Sequence, residues 1–259
     1  MSSEHADKPT ARPCVLIPVY NHAAAIGDTC VGARRLGVPL LLIDDGSDAE
    51  CAAVLDELAM ADDVSLVRLA ANRGKGAAVK TGLREAARLG FTHALQVDAD
   101  GQHEPDDFPA FLEGLHAGDE RLRIGYPRFD ASVPRLRFYS RYATHVLVWL
   151  STLSFELRDT MCGVKLYPLA TVNRLVTRHG CGNRMQFDTE LPVRWLWAGL
   201  PIINLPVRVY YPRNGISHFA LWRDNLLLAA MHARLLCIML WRLPTLLARL
   251  AKAKRNMHK

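Results

Sequence analysis

The chain has 259 residues, of which 50% are hydrophobic and 22% charged. That is apolar enough to build one large core and excludes an intrinsically disordered chain. The net charge of +6 at pH 7 favours anionic partners over cationic ones.

Residues 1–12 are polar and read as a flexible leader without the apolar core of a secretory signal. Strand and helix patterns then alternate. Cys14-Val15-Leu16-Ile17 is a continuous apolar run, as expected of a strand buried on both faces. Residues 23–36 have helical composition, and Pro39 to Ile43 forms a second apolar strand that ends in Asp44-Asp45-Gly46-Ser47. A helix over 48–60 follows, with Ser47 or Asp48 as its cap. Val64 to Leu69 is a third strand, and Asn72-Arg73-Gly74-Lys75-Gly76 turns into a helix that reaches about Leu89. Thr92 to Val97 is a fourth strand, and Pro105 starts a helix over 105–117. Strand–helix alternation of this kind implies a mostly parallel sheet with crossovers, whose ligands bind at the carboxyl ends of the strands.

The second half is less regular. Residues 134–153 read as one helix, 159–167 as a loop and then a strand, 186–199 as a helix and 202–211 as a strand. A long apolar helix covers 219–241, Pro244 is expected to kink or break it, and a short basic segment follows. The domain plan is therefore a leader (1–12), a catalytic domain (13–218) and a C-terminal helical appendage (219–259).

Charge is unevenly placed. Arg242, Arg249, Lys252, Lys254, Arg255 and Lys259 have no acid among them and together equal the whole excess. His232 and Arg234 interrupt the apolar run before them, so an interfacial helix pair fits better than a membrane span. Peripheral contact with the inner face of the cytoplasmic membrane is the expectation. A second cluster, Arg121, Arg123, Arg128, Arg135, Arg137 and Arg141, is opposed within its span only by Asp130. Neither cluster belongs to a nucleic-acid recognition module, and no nucleic-acid partner is expected. The six cysteines show no CxxC spacing and read as free thiols of a reducing cytoplasm.

The most specific chemistry lies at the fourth strand's end, where Asp98-Ala99-Asp100 is followed by Gln102. Alternate residues of a strand face one way. Two carboxylates and an amide oxygen on one lip suit a hard divalent cation that keeps positions open for phosphate oxygens. There is no G-x-G-x-x-G and no G-x-x-x-x-G-K-[ST]. The first strand instead runs into Pro18-Val19-Tyr20-Asn21, where Tyr20 could lie against a base.

Taken in order, IPVYN (17–21), LLIDDGSD (41–48), NRGKGAAVKTG (72–82) and VDADGQHEPDDF (97–108) resemble the inverting nucleotide-sugar glycosyltransferases of family 2, which include dolichol-phosphate mannose synthase. Weaker echoes continue through GYPRF (125–129), DTMCGVKLY (159–167), FDTEL (187–191) and RNGISHF (213–219). The resemblance implies a glycosyltransferase A-type α/β fold, a nucleotide diphospho-sugar donor and Mg²⁺ or Mn²⁺. It implies that Pro18, Tyr20, Ile43 and Asp44 or Asp45 hold the nucleoside. Asp98, Asp100 and Gln102 would hold the metal, with Ala99 beside the diphosphate. Arg128 would approach the donor phosphates or the acceptor, Lys75, Arg213 and His218 would stabilise the departing diphosphate, and Asp159 and Lys165 would sit at the acceptor end. The acceptor is expected to be a polyprenyl phosphate or another lipid. A lipid phosphate needs no protein base, whereas a hydroxyl would need a carboxylate from Asp159, Asp188 or Glu190. The chain departs from the mannose synthases at His22, at Cys162-Gly163-Val164-Lys165 and at His218, so sugar, base and acceptor stay open. The competing readings are a sugar-phosphate nucleotidyltransferase and a non-catalytic nucleotide-sugar-binding protein.

Overall fold

The structure is a computed structural model and describes residues 9–128, 135–210 and 221–257. Its elements run β1 (Pro13–Val19), α1 (Ala23–Arg34), β2 (Leu40–Asp44), α2 (Ala49–Leu58), β3 (Val64–Arg68), α3 (Lys75–Arg88) and β4 (His93–Gln96). A 3₁₀ turn (Pro105–Asp107) and α4 (Pro109–Leu112) precede β5 (Leu122–Arg128) and α5 (Arg135–Thr152). Then come β6 (Lys165–Pro168), α6 (Leu169–His179), α7 (Gln186–Trp197), β7 (Ile202–Arg208) and α8 (Leu221–Met257).

The seven strands form one sheet in the order β3-β2-β1-β4-β6-β5-β7. β3, β2, β1 and β4 are parallel, β6 runs antiparallel to both β4 and β5, and β7 is parallel to β5. Continuous apolar strands follow from burial on both faces. Cys14 and Leu16 of β1 enter the core under α3, and Val15, Ile17 and Val19 enter the one on the opposite face. The same alternation in β2 puts Leu41 and Ile43 on the α3 side.

Several expectations change. The helix expected over 105–117 is a 3₁₀ turn and a single helical turn, because Pro109 has no N–H to give Pro105 and Gly114 turns the chain at φ +62°. β5 and α6 were not anticipated. Part of the leader is tied down: Pro9 O accepts Ala117 N at 3.0 Å and Arg12 O accepts Thr92 N at 2.8 Å, whereas residues 1–8 lie outside the described chain. α8 continues through Pro244. Packing on both sides of the proline holds it, with Arg242 Nη2 2.9 Å from Trp197 O and Leu246 buried. Met231, Leu235 and Leu246 join the core shared with β1 and α3.

Three arginines of the cluster are neutralised from outside its span. Asp119 binds Arg121 at 2.7 Å and the buried Arg123 at 2.8 Å. Arg141 pairs with Asp159. Arg128 stays exposed at the end of β5.

Candidate active site

Parallel pairing puts the carboxyl ends of β1, β2 and β4 on one rim. The antiparallel β6 brings its starting end there as well, since Lys165 is in register with Gln96. Residues from 159 to 165 thereby meet the Asp98–Asp100 loop.

The rim is cross-braced. Asn21, in the left-handed region at φ +51°, takes Ser47 Oγ on its N–H at 3.0 Å and accepts Asp48 N at 2.8 Å. Gly46 (φ +72°) lies so close to the β3–α3 loop that a Cβ would sit 2.5 Å from the Ala71 carbonyl carbon. Asp45 accepts Arg73 N and Gly74 N at 2.8 Å each and Asn72 Nδ2 at 3.1 Å. Burial raises its pKa, against the pull of the two backbone donors. Asp44 accepts Ser47 N at 2.8 Å and Arg68 Nε at 2.7 Å.

These contacts bear on the expectation for the nucleoside. Both oxygens of Asp44 and of Asp45 are already engaged in shaping the loops. The Ile43 side chain is fully buried on the α3 side of the sheet. Pro18 is buried beside it in register, and Tyr20 is half-buried at the strand's exit.

The chemical centre is a chain of alternating charges. Lys165 Nζ lies 2.7 Å from Asp188, Asp188 lies 2.9 Å from Lys75, and Lys75 lies 2.8 Å from Asp98. Four elements contribute one residue each: β6, α7, α3 and the β4 exit. Burial disfavours charge on Lys75 and Asp98, but the ion pairing overrides it. Asp188 and Asp98 raise the Lys75 pKa strongly, and Lys75 lowers that of Asp98 to about 2. Asp98 also packs so tightly on Gly163 that a Cβ there would fall on its carboxylate. Gln96 Nε2 braces this contact through Gly163 O at 3.3 Å, and Tyr167 donates to Gln96 Oε1 at 3.2 Å.

Asp100 is in a different state. It accepts the Gln102 N–H at 3.1 Å, and burial together with the charge of Asp98 raises its pKa. Burial lowers the pKa of the adjacent His103, whose Nδ1 is buried without a hydrogen-bond partner among the described residues. Two neighbouring acids are thus pushed in opposite directions, a pattern common at functional sites. A cavity of about 210 Å³ opens beside Asp98, lined also by Val97, Gly101, His103 and Phe108. Ala99 is buried in the core, and Gln102 is fixed through its backbone, its O accepting Tyr210 N at 2.8 Å. Among the described residues no three His, Cys, Asp or Glu side chains form a ready metal cage. The acids here fit an open site that relies on ligand oxygens rather than a closed one.

The other carboxylates are committed. Asp159 accepts Arg141 Nη2 at 2.9 Å, His145 Nε2 at 3.0 Å and the N–H groups of Met161 and Cys162 at 2.8 and 2.7 Å. Burial works against its charge, but these donors hold its pKa well below the carboxylate range. Glu190, fully buried, is gripped by Arg194 at 2.6 Å, Arg234 of α8 at 2.7 Å and Gly182 N at 3.1 Å. Asp159 and Glu190, candidate bases by sequence, are thus both engaged by cations and backbone N–H groups. Asp188 stands between two lysines. Arg213 and His218 lie outside the described residues. Arg141 and His145, one turn apart on α5, were missed as partners of Asp159; their i, i+4 spacing was the available signal.

A sheet of this order, with an acidic pair at its rim and no glycine-rich phosphate loop, defines a glycosyltransferase of the A-type fold. The profile of glycosyl transferase family 2 matches residues 14–179, and the chain belongs to that family. It is 35% identical over 227 residues to a polyprenol monophosphomannose synthase of Mycolicibacterium smegmatis, covering 81% of this chain and 82% of that one. It is 30% identical over 226 residues to a dolichyl-phosphate beta-glucosyltransferase of Drosophila melanogaster, covering 78% and 68%. Among solved structures, glucosyl-3-phosphoglycerate synthase from Mycobacterium tuberculosis, in complex with Mn²⁺ and uridine-diphosphate-glucose, superposes with a TM-score of 0.61. That match covers 92% of this chain and 79% of the other at 18% identity, a likeness of fold. Family membership sets the nucleotidyltransferase alternative aside.

Proposed function

We propose that the enzyme moves a sugar, with inversion, from a nucleoside diphospho-sugar to a polyprenyl phosphate at a membrane surface. The observation that carries this reading is the state of the three carboxylates expected as bases. Asp159 and Glu190 are saturated by cations and N–H groups, and Asp188 lies between Lys165 and Lys75. A hydroxyl acceptor needs a base to take its proton; a phosphate acceptor arrives as an anion and needs none. The relatives' names, polyprenol monophosphomannose synthase and dolichyl-phosphate beta-glucosyltransferase, support the same acceptor class.

Asp98 and Asp100 would hold Mn²⁺ or Mg²⁺, which when bound neutralises the departing diphosphate. Lys75, kept charged by its two acids, offers its ammonium to the leaving oxygens. The acceptor oxygen forms the new bond to the anomeric carbon as the bond to the diphosphate breaks. Arg128, Arg213, His218 and Gln102 are proposed around the diphosphate, and Tyr20 and Pro18 around the nucleoside. The Asp159 clamp fixes the loop that carries Gly163 and Lys165.

The membrane reading rests on an apolar face. On α5, Tyr142, Val146 and Leu150 recur every four residues and are exposed, with Phe155 just beyond. On α8, Trp222 and Trp241 are each 92% exposed, with Leu226, Leu240 and Leu247 between and beyond them. The stretch Trp222–Ala248 is long and apolar enough to cross a membrane by length and composition, yet α8 packs on the domain through Met231 and Leu235. Exposed tryptophans followed by terminal cations fit peripheral binding to anionic lipid.

The test is sugar transfer by the full chain from labelled GDP-mannose and UDP-glucose with Mn²⁺, comparing a polyprenyl phosphate with the corresponding polyprenol. Transfer to the phosphate alone is expected, with Asp100→Ala inactive. Equal transfer to the alcohol would refute the baseless mechanism. Paired Trp222→Ser and Trp241→Ser changes should weaken flotation with anionic liposomes and leave the fold intact; unchanged flotation would refute the membrane face.

A further inference from the structure

Away from the rim, one concave surface is lined with cations. A cleft of about 340 Å³ lies between α3 and α6 and is closed at one end by the loop leading to Asn183. Arg73, Lys80 and Arg84 line it with the hydroxyls of Thr81 and Thr177, and among the described residues no carboxylate does. Arg73 and Arg84 are exposed and make no ion pair among the described residues. Lys80 is anchored, its Nζ 2.6 Å from Cys181 O and 2.6 Å from Asn183 Oδ1, which uses two of its three donors. Glu190, whose charge reaches Lys80, is already held by Arg194 and Arg234. Burial, and beyond it the like charges of Arg84 and Arg73, lower the Lys80 pKa. Three neighbouring cations without a counter-ion repel one another until an anion enters.

The cleft is separate from the catalytic centre but mechanically joined to it. Lys75 and Lys80 are five residues apart on α3, about 140° around the helix. The loop that closes the cleft is bonded to the start of α3, Ala77 N donating to Asn183 O at 2.8 Å. The same loop leads into α7, whose Asp188 holds Lys75.

We propose that the α3–α6 cleft is a second, non-catalytic binding site for a small soluble phosphate-bearing anion. The anion bridges Arg73, Lys80 and Arg84 and takes hydroxyl donors from Thr81 and Thr177. Its effect is to stiffen the loop that sets Asp188, which makes the cleft an effector site of the enzyme.

The test uses the full chain in metal chelator with inorganic pyrophosphate as the probe, followed by calorimetry and by hydrogen exchange. Saturable binding is expected, with slowed exchange in residues 76–84 and 180–185. Lys75→Met, which removes the rim cation, should leave binding in place. The surface reversal Arg73→Glu with Arg84→Glu should weaken it about tenfold or more, since charge-assisted hydrogen bonds are the strong kind. Without pyrophosphate, the single change Arg84→Glu, which lies outside the rim, should transfer sugar within about twofold of the parent, as surface changes away from a site generally do. This separates the proposal from the catalytic reading. Binding abolished by Lys75→Met, or unaffected by the double reversal, would overturn it as the rim's own phosphate site or as diffuse attraction. A parallel arm measures binding to phosphatidylglycerol vesicles. Loss of vesicle binding in the double variant, with no pyrophosphate binding by the parent, would assign the cleft to lipid headgroups and overturn the soluble anion.

Discussion

Replacing Lys165 by methionine tests the buried charge chain directly. Lys165 has no exposed side-chain surface, and its ammonium lies 2.7 Å from Asp188. Methionine keeps the volume and removes the charge. Among the described residues Asp188 is left with Lys75 as its one cation, and Lys75 must then balance two acids instead of sharing one of them. Breaking a buried pair from one side costs about 3–5 kcal/mol. Because Asp188 keeps one partner, a loss near the lower end, about 3 kcal/mol, is expected. For a domain of this size that lowers Tm by roughly 6–12 °C. Adding Asp188→Leu removes the stranded charge and should recover part of the loss, since apolar replacement of a buried pair is often neutral or better. Calorimetric unfolding of the parent, both single variants and the double variant at pH 7 gives the coupling energy. Strict additivity, with no recovery in the double variant, would refute the claim that these charges act as a unit.

Four further outcomes follow from the same geometry. Asp100→Asn should abolish Mn²⁺ binding measured by electron paramagnetic resonance and reduce transfer by about a thousandfold, the scale of losing a transition-state charge stabiliser. In the parent, Mn²⁺ affinity should fall as pH falls through the raised Asp100 pKa, beginning above the ordinary aspartate value of about 3.9, because only the carboxylate binds metal. Gly163→Ala should disrupt the seat of Asp98, costing about 1–3 kcal/mol by overpacking and removing transfer activity; a fully active variant would show that the close approach is dispensable. Glu190→Gln leaves Arg194 and Arg234 facing a neutral amide and should loosen α8, seen as faster hydrogen exchange in residues 231–238.

Asp98 carries a linked consequence for acid stability. Its folded pKa of about 2 lies below the usual aspartate value, so its contribution is complete above about pH 4 and is lost as pH falls toward 2. An Asp98→Asn variant should therefore show a flatter acid limb in its stability profile.

The left half of the sheet was legible because its signals are local. Each apolar run of β1, β2 and β4 stops at polar residues, and every such stop is a strand's carboxyl end on the rim. Capping could be read in the same way, and Asp48 caps α2 by accepting Cys51 N at 2.9 Å. β5 was hidden because its seven residues include a proline, a glycine and two arginines, and only pairing with β6 and β7 makes them a strand. α6 was missed because it follows β6 without a loop, at Pro168.

By itself the sequence determined the parallel core and the acid pair at the β4 exit, since backbone period and residue chemistry act over a few neighbours. It also set the family, through four short stretches in order. Only the tertiary structure decided which charges are available. Whether Asp44, Asp45, Asp159 or Glu190 can act depends on donors that arrive from Arg68, Gly74, Arg141 and Arg234, up to 44 positions away along the chain. Burial makes such pairing obligatory, because an unpaired charge in the interior is too costly to keep. The partner a buried carboxylate finds is fixed by the fold of the whole chain.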